Sequence, residues 1–122
     1  MKRFGSSFAI LLFLMFALGT QVFADDNQVG ALANGNTKES GIIYGQHKYG
    51  MLRMVHISGN FDVIVRIQEL TSSNSWKDIY ANHVNASNPK VDISYYLEGG
   101  KAYKLVVQSA GAGGAYLTNY LP

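Results

Sequence analysis

Val91–Val107 reads VDISYYLEGGKAYKLVV, and its alternation decides the fold class. Val91, Ile93, Tyr95 and Leu97 alternate with Asp92, Ser94, Tyr96 and Glu98. Beyond Gly99-Gly100 the apolar positions return at Tyr103, Leu105 and Val107. Successive side chains on a strand point to opposite faces, so a period of two marks a strand with one buried face. The stretch is read as two half-buried strands joined in a hairpin by a tight glycine turn.

The same pattern extends upstream. Phe61–Leu70 (FDVIVRIQEL) places Phe61, Val63, Val65 and Ile67 on one face and Asp62, Arg66 and Gln68 on the other. Met51–Ser58 (MLRMVHIS) is a strand with two candidate inward faces, Leu52 with Met54 or Val55 with Ile57. Gly41–Gln46 and Trp76–Val84 are weaker strands, with a turn at His47–Gly50 and polar loops at Thr71–Ser75 and Asn85–Lys90. Downstream, Ser109–Gly114 (SAGAGG) reads as a flexible connection into a closing strand, Ala115–Leu121. No segment has a 3.6-residue period. About seven short strands separated by Gly, Asn and Ser turns predict an all-β, antiparallel sandwich or barrel as a single domain over 41–122.

The N-terminal part reads differently. Lys2 and Arg3 precede an uninterrupted apolar run, Phe8–Leu18, and Val22-Phe23-Ala24 offers compact residues before a cleavage point. This is the pattern of a secretory signal peptide over 1–24, and the run is shorter than the roughly 20 apolar residues of a membrane-spanning helix. Residues 25–40 (DDNQVGALANGNTKES) are polar and rich in Gly and Asn, and read as a mobile lead-in with a short strand around Val29–Ala33 as the one ordered option.

Charge and cysteine content narrow the classes. Loss of Lys2 and Arg3 would bring ten basic residues to eight, against eight acidic ones. A neutral chain without a block of like charge gives no electrostatic case for nucleic acid or for an anionic membrane. The chain has no cysteine, so a secreted domain of this size is held by its core alone, an economy more usual in bacteria than in disulfide-stapled secreted domains.

A further pattern is carried by the order of features. Gly59-Asn60-Phe61-Asp62-Val63-Ile64-Val65 comes first, then the strand opened by Trp76, then Leu97–Val107 (LEGGKAYKLVV), then Gly113-Gly114-Ala115-Tyr116-Leu117. Over roughly Gly50–Leu121 this resembles the bacterial pre-peptidase C-terminal domains, appended to secreted hydrolases. The resemblance implies a small jelly-roll-like β-sandwich with a non-catalytic role in associating with surfaces or polymers. The chain departs from that family in carrying no protease, and no functional residue carries over.

Reactive constellations are sparse. His47, His56 and His83 are scattered over separate segments, without the convergence that a metal site needs. No G-x-S-x-G elbow is present, and Asp62 and Asp92 read as outward partners of core strands. Ala110–Gly114 has the composition of a phosphate cradle but leads into a strand rather than a helix. No cofactor, metal site or catalytic residue is expected, and the chain is read as a non-enzyme.

Aromatic residues are the one surplus. Trp76, Tyr80 and Tyr96 are the candidate ligand contacts, since flat rings with polar tips suit stacking on sugars or on a protein. The expected function is a secreted, monomeric module binding a polysaccharide, a cell wall or an extracellular protein. A matrix protein assembling through the β-prone segments FDVIVRI and YKLVV is the second reading, and a small enzyme or toxin the third.

Overall fold

The computed structural model describes residues 23–25 and 27–121, and every regular element among them is a β-strand. These are β1 (Phe23–Asp25), β2 (Gln28–Glu39), β3 (Ile43–Tyr44), β4 (Lys48–Ser58), β5 (Val63–Leu70), β6 (Trp76–Val84), β7 (Lys90–Leu97) and β8 (Ala102–Thr118). All pair antiparallel, so the chain is the small all-β sandwich that the alternation predicts. The leader expected over 1–24 lies outside the described residues except for positions 23 and 24, which are in β1. No helix among the described residues is long and apolar enough to cross a membrane.

β8 holds the fold together. One of its edges is covered by β2, from Gln28↔Thr118 to Glu39↔Val106, and then by β3 at Ile43↔Tyr103. Ser40 carries the ladder across the gap between them. Its N–H donates to the Leu105 carbonyl at 2.9 Å, and its Oγ accepts from the Leu105 N–H at 2.9 Å. The opposite edge of β8 meets β5 over Tyr103–Ser109 and β4 over Ala112–Leu117. β6 continues outward from β5, and β7 from β4. The first half of β8 therefore belongs to a β6-β5-β8 layer and the second half to a β7-β4-β8 layer, with β2 alongside through both.

A strand can pass from one layer to the other only by bending. The register between β2 and β8 slips from Asn34↔Ala112 to Asn36↔Ser109, so Gly35 stands opposite both Ala110 and Gly111. Gly35 has φ 75°, a conformation disfavoured for residues with a Cβ. Beyond the bend, a Cβ at Gly111 or Gly113 would overlap the Phe61 ring or the Val63 methyls. The glycine run is the corner of the sandwich.

The core lies between the layers. Val63, Val65 and Ile67 from β5 and Leu105 and Val107 from β8 face Leu52 and Met54 from β4 and Leu97 from β7, all fully buried. Each such side chain contributes about 1.5–3 kcal/mol relative to exposure. The choice left open in β4 falls to Leu52 and Met54; Ile57 sits at a register shift and is exposed.

Three expectations are corrected. The lead-in at 25–40 is, from Gln28 to Glu39, a 12-residue strand with Val29, Ala31 and Ala33 fully buried. Its inward residues are small because it runs beside the crowded corner, so it lacks the bulky alternation of β5. The expected connection Ser109–Gly114 is the middle of the 17-residue β8. The glycine turn after β7 closes no hairpin: β7 pairs with β4, and β8 does not pair with β7. Glu98–Lys101, with Gly100 at φ 80°, arches from one layer to the other, and the Tyr103 hydroxyl accepts the Glu98 N–H at 3.0 Å beneath it. Alternation identifies which residues of each strand face inward. It does not say whether two such strands lie side by side or face one another.

Candidate functional site

The outer faces of the two layers follow from the same alternation. With Leu52 and Met54 inward on β4, Tyr49, Met51, Arg53 and Val55 point outward; on β7, Tyr96, Ser94 and Asp92 do so. The register pairs Tyr49 with Tyr96, and their rings meet edge to face, 5.3 Å apart at 72°. Both remain open to solvent, at 55% and 44% exposure. Two repeats of the pleat further, Arg53 donates from Nε and Nη2 to the two carboxylate oxygens of Asp92 at 2.7 and 2.8 Å, and from Nη1 to the Tyr116 hydroxyl at 2.9 Å. The bond to Asp92 is the main cause holding the Arg53 pKa above its ordinary value. Burial raises that of Tyr116, with Arg53 acting against it. This bidentate pair cancels its own charge, so around it the face offers rings and neutral groups, with Lys90 as an exposed charge at its far edge.

The tyrosine pair stands at one end of the sandwich, where three segments are tied together. The Asn119 side-chain amide donates to the Tyr44 carbonyl at 2.9 Å, the Gly45 N–H to the Lys101 carbonyl at 2.9 Å, and the Gly99 N–H to His47 Nδ1 at 3.1 Å. Gly50 is required here, because a Cβ would overlap the Thr118 carbonyl. These segments carry Tyr44, Tyr49, Tyr96 and Tyr120, all exposed. The Tyr120 hydroxyl donates to Gln28 Oε1 at 3.1 Å. Strand backbone and crossing hydrogen bonds fix the backbone from which the rings project, so ordering on contact is confined to side-chain torsions.

The three sequence-derived contacts are not brought together. Tyr96 belongs to this end. Trp76 lies on the outer face of the other layer, paired with Leu70, and Lys104 Nζ sits 4.5 Å over its ring while bonding Glu39 Oε1 at 2.9 Å. Its near face is already covered. Tyr80 is paired with inward Ile67 and turns toward the core, where its ring lies 5.4 Å from that of Tyr95. The two rings bridge the open side of the sandwich between β6 and β7, and Tyr80 is half-buried there. Tyr49 was missed because Gly50 reads as the end of a turn. The signal was its place two residues before Met51, in phase with Arg53.

The remaining polar candidates have local duties. His56 Nε2 lies 2.8 Å from the Gly59 carbonyl, and Asp62 accepts from the Asn85 amide at 3.2 Å. Among the described residues no three His, Asp or Glu side chains converge as metal ligands. Fold and surface together define a small antiparallel β-sandwich with one tyrosine-rich, solvent-open end. No protein-family model and no curated protein matches the chain.

Proposed function

We propose that this is a secreted, extracellular, non-enzymatic β-sandwich that binds a polymer, either a polysaccharide or a cell wall, or a protein at the cell surface, through its tyrosine-rich end. The observation that carries the reading is the Tyr49–Tyr96 pair: two rings in contact on adjacent strands, one rather more and one rather less than half open to solvent. Such rings bury large apolar area while their hydroxyls keep hydrogen-bonding capacity. The resemblance to pre-peptidase C-terminal domains points to the same associating role, and the leader-like N-terminus supports export.

Assembly through strand edges is less favoured. The two strongly β-prone segments fall in β5 and β8, each with neighbours on both sides. Of the strands at the rims of the layers, β6 and β7 carry Lys77, Asp78, Lys90 and Asp92, and charges on an edge oppose pairing with another chain; β2, covered by β1 only at Gln28–Gly30, ends in Lys38 and Glu39.

Sedimentation with insoluble polysaccharides and isolated cell walls tests the reading. The protein is expected to pellet with one of them and to stay in solution alone, and Tyr49→Ala/Tyr96→Ala is expected to stay in the supernatant. Pelleting of the protein by itself as concentration rises would favour assembly instead.

A further inference from the structure

We propose that a cleft beside the tyrosine-rich end is a subsite for a carboxylate-bearing sugar, a uronic acid residue within the polymer; this rests on the polymer-binding reading above. The cleft, of about 530 Å³, opens where β3, the 71–75 turn, the start of β6 and the arch between β7 and β8 converge. Tyr44, Glu69, Ser72, Lys77 and Lys101 are among its lining residues. Its volume is within the range of small-ligand sites.

The two lysines of the cleft are paired differently, and the difference selects a ligand. Lys101 Nζ lies 3.2 Å from Glu69 Oε2 and 3.7 Å from Glu98 Oε1, so two carboxylates share its charge. Lys77 is the cross-strand partner of Glu69, yet it makes no ion pair among the described residues. The four groups carry no net charge, but the Lys77 ammonium has no carboxylate within ion-pair distance among the described residues and is open to a ligand. The Tyr44 ring stands 61% exposed at the rim and stacks on no other described ring. A pyranose can lay its C–H face on such a ring. Its hydroxyls can reach the Glu69–Lys101 pair and the Ser72 hydroxyl, and a carboxylate on the sugar answers Lys77. The Glu69 carboxylate disfavours a more highly charged group such as a phosphate dianion. A peptide C-terminus shares the carboxylate but brings no sugar face for Tyr44.

The test is a calorimetric titration of the purified protein with galacturonic-acid oligosaccharides, with the same oligosaccharides fully methyl-esterified, and with a short unmodified peptide. Esterification removes the charge and keeps the rings. The acid form is expected to bind about tenfold tighter or more than the ester, the effect of one charge-assisted contact. Lys77→Gln, a change at an exposed side chain, is expected to abolish that difference, and Tyr44→Ala to weaken both forms. Equal binding of acid and ester, or a preference that survives Lys77→Gln, would overturn the subsite. So would a peptide that binds as tightly as the acid sugar. Pelleting with an insoluble polymer that depends on Tyr49 and Tyr96, without any uronate preference, would overturn the subsite and leave the proposed function standing. Absence of pelleting with every polymer would remove the reading beneath it.

Discussion

The two outer faces of this sandwich are built by one rule and put to different use. On the β6-β5-β8 layer the outward side chains are long and engage one another: Arg66 with Asp78 and Gln108, Gln68 with Asp78, Lys104 with Glu39 and with the Trp76 ring. On the β7-β4-β8 layer the outward positions hold one closed ion pair, Arg53–Asp92, whose guanidinium also lies over the Tyr116 ring at 5.7 Å, and Tyr49 and Tyr96, whose rings stay open. The lesson is that an aromatic residue's place in the sequence says less than what lies over its ring. Trp76, the largest aromatic in the chain, is capped by an ammonium, whereas Tyr49 and Tyr96 meet edge to face and stay open to solvent.

The comparison is most sharply broken at the strand that serves both layers. Leu105→Ala empties a fully buried position on β8 and is expected to cost about 2–5 kcal/mol in urea unfolding. Both layers should fail in one transition. A first transition confined to one layer would show that β8 does not couple them.

Arg53→Met removes the polar tie at the centre of the open face and leaves the half-buried Tyr116 hydroxyl and Asp92 without their donor. The expected loss is about 1 kcal/mol, held low because Asp92 is about a third exposed and water can replace the arginine.

How much of this was legible in the sequence depends on side-chain size. The inward faces of β5 and β7 were readable because Val63, Val65 and Ile67, and Ile93 and Leu97, are bulky and alternate with polar residues. β2 was not, because Ala31 and Ala33 are small where β2 runs beside the corner, and small apolar residues among Asn and Gly carry little periodic signal. The Ala110–Gly114 run has the composition of a loop because the bend and the packing of Phe61 and Val63 exclude side chains there. The open tyrosine end was half legible. Tyr96 showed itself by alternating with Tyr95, but its partner Tyr49 depends on a register that links residues 47 positions apart.

The covered face can be opened. Lys104→Ala removes the ammonium from the only tryptophan in the chain, so the emission of Trp76 is expected to change, with a stability loss of about 0.5–1 kcal/mol. Unchanged emission would mean that the cation does not rest on the ring in solution.

Alkaline pH should act through the buried phenols, Tyr95 and Tyr103 in the interior and Tyr116 beneath Arg53. Burial raises the pKa values of Tyr95 and Tyr103 in the folded state. For groups whose folded pKa is raised, the stabilisation is complete below the unfolded value, about pH 10, and is lost as pH climbs through the folded values. Unfolding midpoints are therefore expected to stay level up to about pH 10 and fall above it. A rise over that interval would contradict the burial of these phenols. The smallest effect on stability, within about 0.5 kcal/mol, is expected for Tyr49→Ala and Tyr96→Ala, as for exposed side chains generally.

The central claim, that the open tyrosine face binds and the capped face does not, is tested most directly by two binding isotherms. Tyr49→Ala/Tyr96→Ala and Trp76→Ala would be titrated against whichever insoluble polymer pellets the unaltered protein. The account predicts that the double variant loses binding tenfold or more, about 1.4 kcal/mol, while Trp76→Ala binds as before. Loss of binding in Trp76→Ala, with the double variant unimpaired, would contradict it.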